Sequence, residues 1–308
     1  MTLSFRSSST LSVAAVVASH NEGEHLCDTI HALLATMPAD SGIVVVDDFS
    51  TDCSTDFIDG SYPSIRLLKP NSRLGAARAR NFGARNTAAE VLIFLDAHVR
   101  TPQGWVDDLL AALVAGDVGA VGPAVAVMGN PIARGYGFTW SDTALTCEWL
   151  PRAEDDPYTV PMLGAFCLGI RRAVFEECGG FDDGLVGWGG EDAELSLHLW
   201  TRGYECKVVP SVAVEHLFKS QLAHLERPES VILNYLRLAA VHLSGEAFKA
   251  VTRQFQASPL FADALAGVLE SDFAERREAV RDARVRDDSD FFERFNVVPF
   301  ANLRSSTQ

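Results

Sequence analysis

The chain of 308 residues is acidic, with 26 lysines and arginines against 41 aspartates and glutamates and a formal charge of −15 at pH 7. A charge of this sign repels phosphate backbones and anionic lipid at long range, and therefore disfavours a nucleic-acid partner. Every apolar stretch is far shorter than the roughly 20 residues that span a bilayer, so no transmembrane segment is predicted. No basic region leads into an apolar segment near the N-terminus, and we expect a cytoplasmic protein.

The first hundred residues alternate β-branched runs with amphipathic stretches, which is the pattern of βαβ units around a parallel sheet. We predict strands at residues 11–19, 43–47, 65–68 and 90–95. Helices are predicted between them at residues 22–35 and 74–86. This layout predicts an α/β fold with a Rossmann-like nucleotide-binding sheet.

A long excursion interrupts the next part of the chain. A helix at residues 104–114 and a strand at 118–127 precede an aromatic-rich segment that Gly, Asp and Pro break up to about residue 159. The region is completed by a strand at 162–170, helices at 171–178 and 191–201, and strands at 205–209 and 212–216. Long loops in enzymes often bind substrate, so we expect residues 136–158 to line an acceptor site.

The chain becomes helical beyond about residue 226. Helices are predicted at residues 231–243, 248–256, 261–268 and 273–283. We therefore divide the chain into a catalytic domain at 1–225 and a helical C-terminal region at 226–308 packed on it. The sequence of the helical region is equally compatible with closing over an acceptor, with a homodimer contact and with completing the core.

Two apolar strands end in residues that can bind a metal ion. Asp96 and His98 follow one strand and, two residues apart on extended chain, face the same way. His216 ends the other strand. In open α/β sheets ligands bind at the carboxyl ends of strands, and one carboxylate with two imidazoles suits Mn²⁺, with Mg²⁺ as the alternative ion. Lys219 adds the positive charge that a leaving diphosphate requires, although histidines packed in the core would give the same pattern.

Charged residues on neighbouring segments suit a nucleotide. Asp47 and Asp48 end another strand, where their carboxylates can accept hydrogen bonds from a pyrimidine N3–H or from ribose hydroxyls; the alternative is an N-cap for the following turn. Arg73, Arg78 and Arg80 lie on or just before the helix that precedes Asp96. We expect one of the three to face the phosphates and assign this role to Arg78.

The glycine-rich string at residues 187–192 is the least accidental in the chain. Its glycines let the backbone approach a ligand closely, and Trp188 offers an apolar face to a sugar ring. Glu191 and Asp192 then begin a predicted helix, whose dipole favours ionised carboxylates. Such carboxylates suit hydroxyl recognition or general-base catalysis, and a capped structural turn is the alternative.

The order of these motifs resembles that of GT-A glycosyltransferases of the family 2 superfamily, and most closely that of the catalytic domains of polypeptide N-acetylgalactosaminyltransferases. The resemblance covers about residues 13–237. It is carried by Ser-His-Asn-Glu at 19–22, Val-Asp-Asp-Phe-Ser at 46–50, Phe-Leu-Asp-Ala-His at 94–98, Gly-Trp at 104–105, Trp-Gly-Gly-Glu at 188–191, Glu-His-Leu-Phe-Lys at 215–219 and residues 234–237.

The resemblance implies a GT-A sheet that binds a nucleotide sugar, with Mn²⁺ and a UDP-sugar donor. It implies that the metal ligands are Asp96, His98 and His216. It further implies that Asp48, with Asp47, reads the uracil, that Trp188 and Glu191 contact the donor sugar, and that Lys219 replaces an arginine on the diphosphate. The other residues assigned to the donor are Asn21, Glu22, Arg78, Gly164, Ala165 and Gly190.

Two departures from the family leave the reaction open. Asp192 stands where the N-acetylgalactosaminyltransferases usually have Asn, and the string is also similar to that of the β-1,4-galactosyltransferases, where the Asp is the catalytic base. Glu191 and Asp192 are therefore the candidate catalytic residues, and an inverting reaction competes with a retaining one. Phe166 stands where the family keeps a glycine against the sugar, so the donor is a hexose or an N-acetylhexosamine.

The predicted function is a metal-dependent transfer of this sugar to a hydroxyl or thiol of a glycan, peptide or small molecule. A nucleotidyltransferase is the rival within enzymes, but it would be expected to carry a basic glycine-rich loop where this chain has residues 19–22. The rival from another class is a nucleotide-sugar-binding or non-catalytic partner protein, which would not release UDP.

Overall fold

The computed structural model describes residues 11–219 and 228–301, and within them a mixed ten-stranded sheet forms the centre of the fold. Its parallel half contains β1 (Val13–Ser19), β2 (Gly42–Asp47), β3 (Ile65–Leu68) and β4 (Val91–Asp96), in the spatial order β3-β2-β1-β4. Helices α1 (Glu24–Thr36) and α2 (Ala76–Arg85) pack on opposite faces, so the strands are near-continuous apolar runs. The predicted α/β fold class is confirmed.

The other half of the sheet reverses direction twice. Its elements are β5 (Val99–Arg100), α3 (Trp105–Leu113), β6 (Val118–Val127), β7 (Asn130–Gly135), β8 (Phe138–Trp140), β9 (Cys147–Trp149), β10 (Tyr158–Val160), β11 (Cys167–Arg171), α4 (Arg172–Glu177), α5 (Glu191–Thr201) and β12 (Glu205–His216). β11 lies antiparallel between β4 and β6, and β6 is parallel to β12. Strand β12 therefore runs in the same direction as β4. The carboxyl ends of both strands lie at one edge, which brings His216 beside Asp96 across 120 residues of sequence.

Two predicted strand boundaries were wrong. The strand predicted at residues 162–170 begins at Cys167, because the chain before it turns and Cys167 N donates to Gly164 O at 3.4 Å. The strands predicted at 205–209 and 212–216 are one strand, β12, in which an irregularity between Val209 and Ala213 accommodates Pro210. The excursion also has more regular structure than predicted, since β8 and β9 form their own two-stranded sheet.

The C-terminal part of the chain is helical, as predicted. Its helices are α6 (Pro228–His242), α7 (Gly245–Phe255), α8 (Phe261–Leu269), α9 (Phe273–Ala283), α10 (Asp288–Arg294) and α11 (Val298–Ala301). The last two were not predicted, and α10 begins with a capping box between Asp287 and Asp290. The predicted domain boundary at 225/226 lies outside the described residues. None of the helices described here combines the length and hydropathy needed to cross a membrane.

Helix α5 joins the sheet to the helical part through both an apolar cluster and a polar one. Leu197 and Trp200 of α5 share a buried cluster with Leu238 of α6 and Phe291 of α10. This arrangement makes α5 part of two layers at once, so its N-terminus is held from both sides.

The polar cluster lies between α5, α6 and α9. Glu194 Oε1 accepts hydrogen bonds from His242 Nε2 at 2.8 Å and from Arg276 Nη2 at 3.1 Å. His198 Nδ1 lies 3.3 Å from Arg276 Nη2 and accepts its hydrogen bond. Burial of His198 lowers its pKa to about 3, so this imidazole is neutral in the folded protein.

Replacing His198 with Gln should reduce the loss of stability in acid. The unfolded imidazole has a pKa of about 6.5, so between that pH and the folded pKa the unfolded chain binds a proton that the folded chain does not. This difference lowers the free energy of unfolding of the wild type by about 3 kcal/mol between pH 7.5 and pH 4.5. Urea unfolding of both proteins across this range measures the effect, since titrating groups outside the cluster of Glu194, His242 and Arg276 contribute equally to both proteins. Parallel curves would contradict it.

Candidate active site

A cavity of about 410 Å³ lies at the carboxyl edge of the sheet. It is lined by most of the residues predicted from the sequence, which are Glu22, Asp48, Asp96, His98, Gly164, Ala165, Trp188, Gly190, Glu191, Asp192, His216 and Lys219. Three predicted residues, Asn21, Asp47 and Arg78, do not line it. The sheet topology thus gathers strand ends that are far apart in sequence into one concave site.

The metal group, formed by Asp96, His98 and His216, brings together three side chains that can hold a metal ion. Their ligand atoms all lie within 4.8 Å of one another. Asp96 Oδ2 is 3.2 Å from His216 Nε2 and 4.0 Å from His98 Nε2, and His216 Nδ1 is buried with no hydrogen-bond partner among the described residues. One carboxylate and two imidazoles are a donor set that fits a borderline divalent ion such as Mn²⁺.

Glu22 fixes the orientation of His98. Its Oε2 accepts hydrogen bonds from His98 Nδ1 at 3.0 Å and from Lys219 Nζ at 2.7 Å. Burial would raise the pKa of Glu22, but His98 and Lys219 outweigh it and lower that pKa. With its Nδ1 proton directed at Glu22, His98 presents Nε2 to the metal group, the arrangement found around metal-binding histidines. Glu22, predicted to bind the donor, is thus bonded to two other side chains that line the cavity.

Arg80 links the metal group to the glycine-rich loop. It is 3% exposed, and its Nη2 donates to Asp96 Oδ1 at 2.7 Å while its Nη1 donates to Glu191 Oε1 at 2.9 Å. Burial opposes ionisation of Asp96, but His216, Arg80 and His98 lower its pKa well below the ordinary value. The two oxygens of Asp96 therefore have separate roles, since one is neutralised by Arg80 and the other faces the histidines.

The assignment of Arg78 to the nucleotide does not fit this geometry, because Arg78 Nε donates to Asp183 O at 2.5 Å, away from the cavity. Residues 78 and 80 point to different sides of helix α2. The sequence held a signal for the buried arginine, since Ala77, Arg80, Asn81 and Ala84 have the spacing of a buried helix face and all are buried. Of the three candidate arginines, Arg73 and Arg80 line the cavity.

The backbone of the loop at residues 187–190 makes close contacts with its neighbours. Gly187 O accepts a hydrogen bond from Ala76 N at 2.7 Å, and Gly189 N donates to Glu191 Oε2 at 2.8 Å. A Cβ atom added to Gly75 would lie 2.7 Å from Gly187 O, so the two segments touch through backbone alone. Trp188, 40% exposed, is carried on this loop at the cavity wall.

The two carboxylates that begin α5 differ in their surroundings. Glu191 is bonded through both oxygens, to Arg80 and to Gly189 N. Asp192 uses Oδ1 to accept from Ala193 N at 2.8 Å. Burial and the negative charge of Glu191 raise the pKa of Asp192 to about 7. Asp192 therefore has the pKa expected of a general base that works near neutral pH.

The two aspartates at the end of β2, Asp47 and Asp48, bond to the loops beside them. Asp47 accepts from Ser50 N at 2.9 Å and from Thr55 Oγ1 at 2.7 Å, which explains why it faces away from the cavity. Asp48 accepts from Leu74 N at 2.5 Å and from Gly75 N at 2.9 Å, and still lines the cavity.

Asn21 is also engaged by a loop, because its Oδ1 accepts from Thr51 N at 2.8 Å. Local bonds between polar side chains and nearby backbone thus occupy Asn21 and Asp47.

Aromatic rings form one wall beside the metal group. Trp149 lies with its ring centroid 6.2 Å from Phe166 and 6.1 Å from Phe218, and Phe218 lies 4.5 Å from His216. Phe166 packs on Gly164, where an added Cβ would lie 2.6 Å from the Phe166 ring. Three residues of the excursion, Phe138, Cys147 and Trp149, line the cavity, and their contact with an acceptor stays a prediction.

The site and fold have counterparts among known proteins. Residues 14–179 match the family described as "Glycosyl transferase family 2", and residues 160–224 match the "N-terminal domain of galactosyltransferase". Polypeptide N-acetylgalactosaminyltransferase 6 of Mus musculus is 30% identical in an alignment of 296 residues that covers 86% of this chain and 46% of that protein. The Homo sapiens protein of that name is 31% identical in an alignment of 256 residues that covers 73% of this chain and 41% of the relative. The chain spans less than half the length of these relatives.

Two solved structures share the fold. The crystal structure of GalNAc-T7 with UDP, GalNAc and Mn²⁺ has a TM-score of 0.79 at 24% identity, covering 96% of this chain and 59% of that one. The mannosyltransferase PcManGT from Pyrobaculum calidifontis, in complex with GDP-Man and Mn²⁺, has a TM-score of 0.58 at 17% identity, covering 97% and 87%. The predicted GT-A architecture is confirmed by this likeness.

Replacing Arg80 with Met should strongly destabilise the protein. The change leaves Asp96 and Glu191 without their shared cation, and removing one partner of a buried ion pair costs about 3–5 kcal/mol. Chemical denaturation measures the free energy of unfolding, with Arg78→Met as the matched control from the same helix. We expect the control to change by about 1 kcal/mol, because Arg78 is exposed and water can replace its hydrogen bond to Asp183 O. Equal losses for both variants would contradict the role given to Arg80.

Proposed function

The chain belongs to glycosyl transferase family 2, and we propose that it transfers a hexose or an N-acetylhexosamine from a UDP-sugar to a hydroxyl or thiol acceptor with the help of a divalent metal ion. The observation that carries this proposal is the group of Asp96, His98 and His216 in a cavity that Trp188 and the glycine-rich loop also line. UDP, an N-acetylhexosamine and Mn²⁺ accompany the similar structure of GalNAc-T7, which supports the same classes of ligand here.

Asp96, His98 and His216 would hold Mn²⁺, and the imidazoles favour this ion over Mg²⁺. When bound, the ion would neutralise diphosphate oxygens and stabilise the charge that grows on departing UDP. Lys219, which Glu22 holds at 2.7 Å, places a second positive charge on the same side of the cavity. Asp48 is proposed to accept from the uracil N3–H through the lone pairs that Leu74 N and Gly75 N leave available.

We assign Asp192 as the base that removes the acceptor proton. Its raised pKa and its place in the cavity suit a base that takes the proton from an acceptor hydroxyl as the oxygen attacks the sugar. Glu191 is assigned to positioning of the donor sugar, because Arg80 and Gly189 N already occupy both of its oxygens. A base on the acceptor predicts inversion at the anomeric carbon, whereas a retaining reaction would not need Asp192.

The size of the donor sugar is set by the wall that Phe166 forms over Gly164. The ring occupies space that a glycine would leave free, which supports a hexose over the bulkier N-acetylhexosamine. A nucleotidyltransferase is disfavoured, since the turn after β1, where such an enzyme would be expected to carry a basic glycine-rich loop, has no lysine or arginine. The cytoplasmic location and a homodimer stay predictions.

UDP should stabilise the protein against thermal unfolding only when Mn²⁺ is present. A ligand at 100 times its dissociation constant adds about 2.7 kcal/mol, a shift of a few degrees for a protein of this size. The measurement compares UDP, GDP, CDP and dTDP, each with Mn²⁺ or with chelator, and then UDP-hexoses with UDP-N-acetylhexosamines.

Two variants distinguish the effect of losing a residue of the metal group from the general effect of removing a histidine. His216→Ala should abolish the Mn²⁺-dependent shift, whereas His31→Ala, which removes an exposed histidine bonded to Tyr62, should keep it. Stabilisation by GDP alone, or by none of the nucleotides, would overturn the donor assignment. Release of UDP from a UDP-sugar distinguishes an enzyme from a binding protein that shows the same shift.

Asp192→Asn should lower the turnover number by about 10²–10⁴-fold, the usual contribution of a general base, with little change in KM for the donor. UDP release is followed with a panel of free sugars, serine peptides and thiols as acceptors. The anomeric configuration of the product, measured by NMR, gives the independent readout. A retained configuration with full activity in the variant would exclude Asp192 as the base.

A further inference from the structure

Asn234 of helix α6 bonds to the backbone of the loop that carries Trp188. It is 1% exposed, and its Oδ1 accepts from Val186 N at 2.9 Å. Its Nδ2 donates to Val186 O at 2.9 Å and to Gly189 O at 2.9 Å, with a longer contact of 3.4 Å to Trp188 O. One side chain therefore holds the main chain on both sides of Trp188.

Only a carboxamide can make this set of bonds. The loop offers Asn234 one N–H donor and carbonyl acceptors, and an amide has one oxygen acceptor and two N–H donors on a single planar group. An aspartate of the same shape would place an oxygen against Val186 O and Gly189 O. The loop needs such an external anchor because Gly187, Gly189 and Gly190 have positive φ angles of 64°, 103° and 88°, and glycine imposes little conformational preference of its own.

Helix α6 is itself fixed against the segment that leads into the loop. Arg237, which is fully buried, donates to Asp182 Oδ2 at 2.7 Å and to Asp182 Oδ1 at 2.8 Å. Its guanidinium lies on Gly184, where an added Cβ would come within 1.9 Å of the Arg237 Cζ atom. The anchor that Asn234 provides is thus held by a second, rigid contact one turn away.

The opposite side of the loop bonds to helix α2, through Ala76 N and Gly187 O. Ala76 directly follows Gly75, whose N–H donates a hydrogen bond to Asp48. The loop is therefore fixed to the nucleotide side of the cavity by backbone and to the helical part of the chain by Asn234. Removing Asn234 frees the Trp188 end and leaves the Asp48 end in place.

From this geometry we propose that Asn234 is a positioning residue for the donor sugar, acting through Trp188 and leaving the binding of the nucleotide unchanged. The proposal rests on the proposed function and deepens it. It gives helix α6 a part in donor recognition, in addition to completing the core.

The test compares the dissociation constants of UDP and of UDP-glucose, both with Mn²⁺, by calorimetry on the full chain. In Asn234→Asp and Asn234→Ala, the ratio of the UDP-glucose constant to the UDP constant should rise about tenfold, the effect of losing one or two hydrogen bonds, while the UDP constant itself changes little. Backbone hydrogen exchange of residues 186–189 should become faster in the same variants.

Leu236→Ala is the matched control, since Leu236 lies two residues away, fully buried, and packs on Ala240, Ala264 and Val268. It should lower stability to unfolding without changing the ratio. Trp188→Ala should raise the ratio as Asn234→Ala does, and the double variant should add nothing further, because the two residues act in series.

Three results would each overturn the proposal. The first is an equal loss of affinity for UDP and UDP-glucose in the Asn234 variants, and the second is an equal change in the ratio of the two dissociation constants in Leu236→Ala. The third is an additive effect in the double variant. Wild-type protein that binds neither ligand would refute the proposed function itself. This outcome is separate from one in which the wild type binds both ligands and the Asn234 variants keep the same ratio.

Discussion

The guanidinium of Arg80 is the interaction on which the site depends. The cavity gathers Asp96, Glu191 and Asp192 from two distant segments, and like charges in a partly buried site repel one another. Arg80 bonds to the first two and is itself 3% exposed, so strand β4 can end where helix α5 begins. The other oxygen of Asp96, which Arg80 does not bind, then faces His98 and His216, where a cation would bind.

Glu22 makes a second set of charged hydrogen bonds on the other side of the metal group. Glu22 holds both His98 and Lys219, so one carboxylate sets the orientation of an imidazole that can hold a metal ion and the location of a positive charge. Arg80 and Glu22 together orient the polar groups before any ligand arrives. Under the proposed function, a preorganised site of this kind would need little rearrangement when charge moves onto a leaving diphosphate.

Much of this site could be predicted from the sequence, because the carboxyl ends of strands that run in one direction share an edge. That rule places Asp96, His98 and His216 at the shared edge, and the family resemblance supplied their expected role as metal ligands. The choice between Arg78 and Arg80 depended on which face of α2 is buried, which the spacing of small residues encoded. The local bonds that turn Asp47 away from the cavity were harder to foresee, since such turns compete with ligand binding for the same carboxylate.

The contact between Gly75 and Gly187 joins two binding segments without any side chain. At this point the frame of the cavity is therefore made of main chain, while Phe166 and Trp188 contribute side chains to its wall. Redesign of the cavity can exchange those side chains one at a time. Any residue larger than glycine at position 75 would instead displace the segment bonded to Asp48 and the segment that carries Trp188 together, and would reshape both parts of the cavity in a single step.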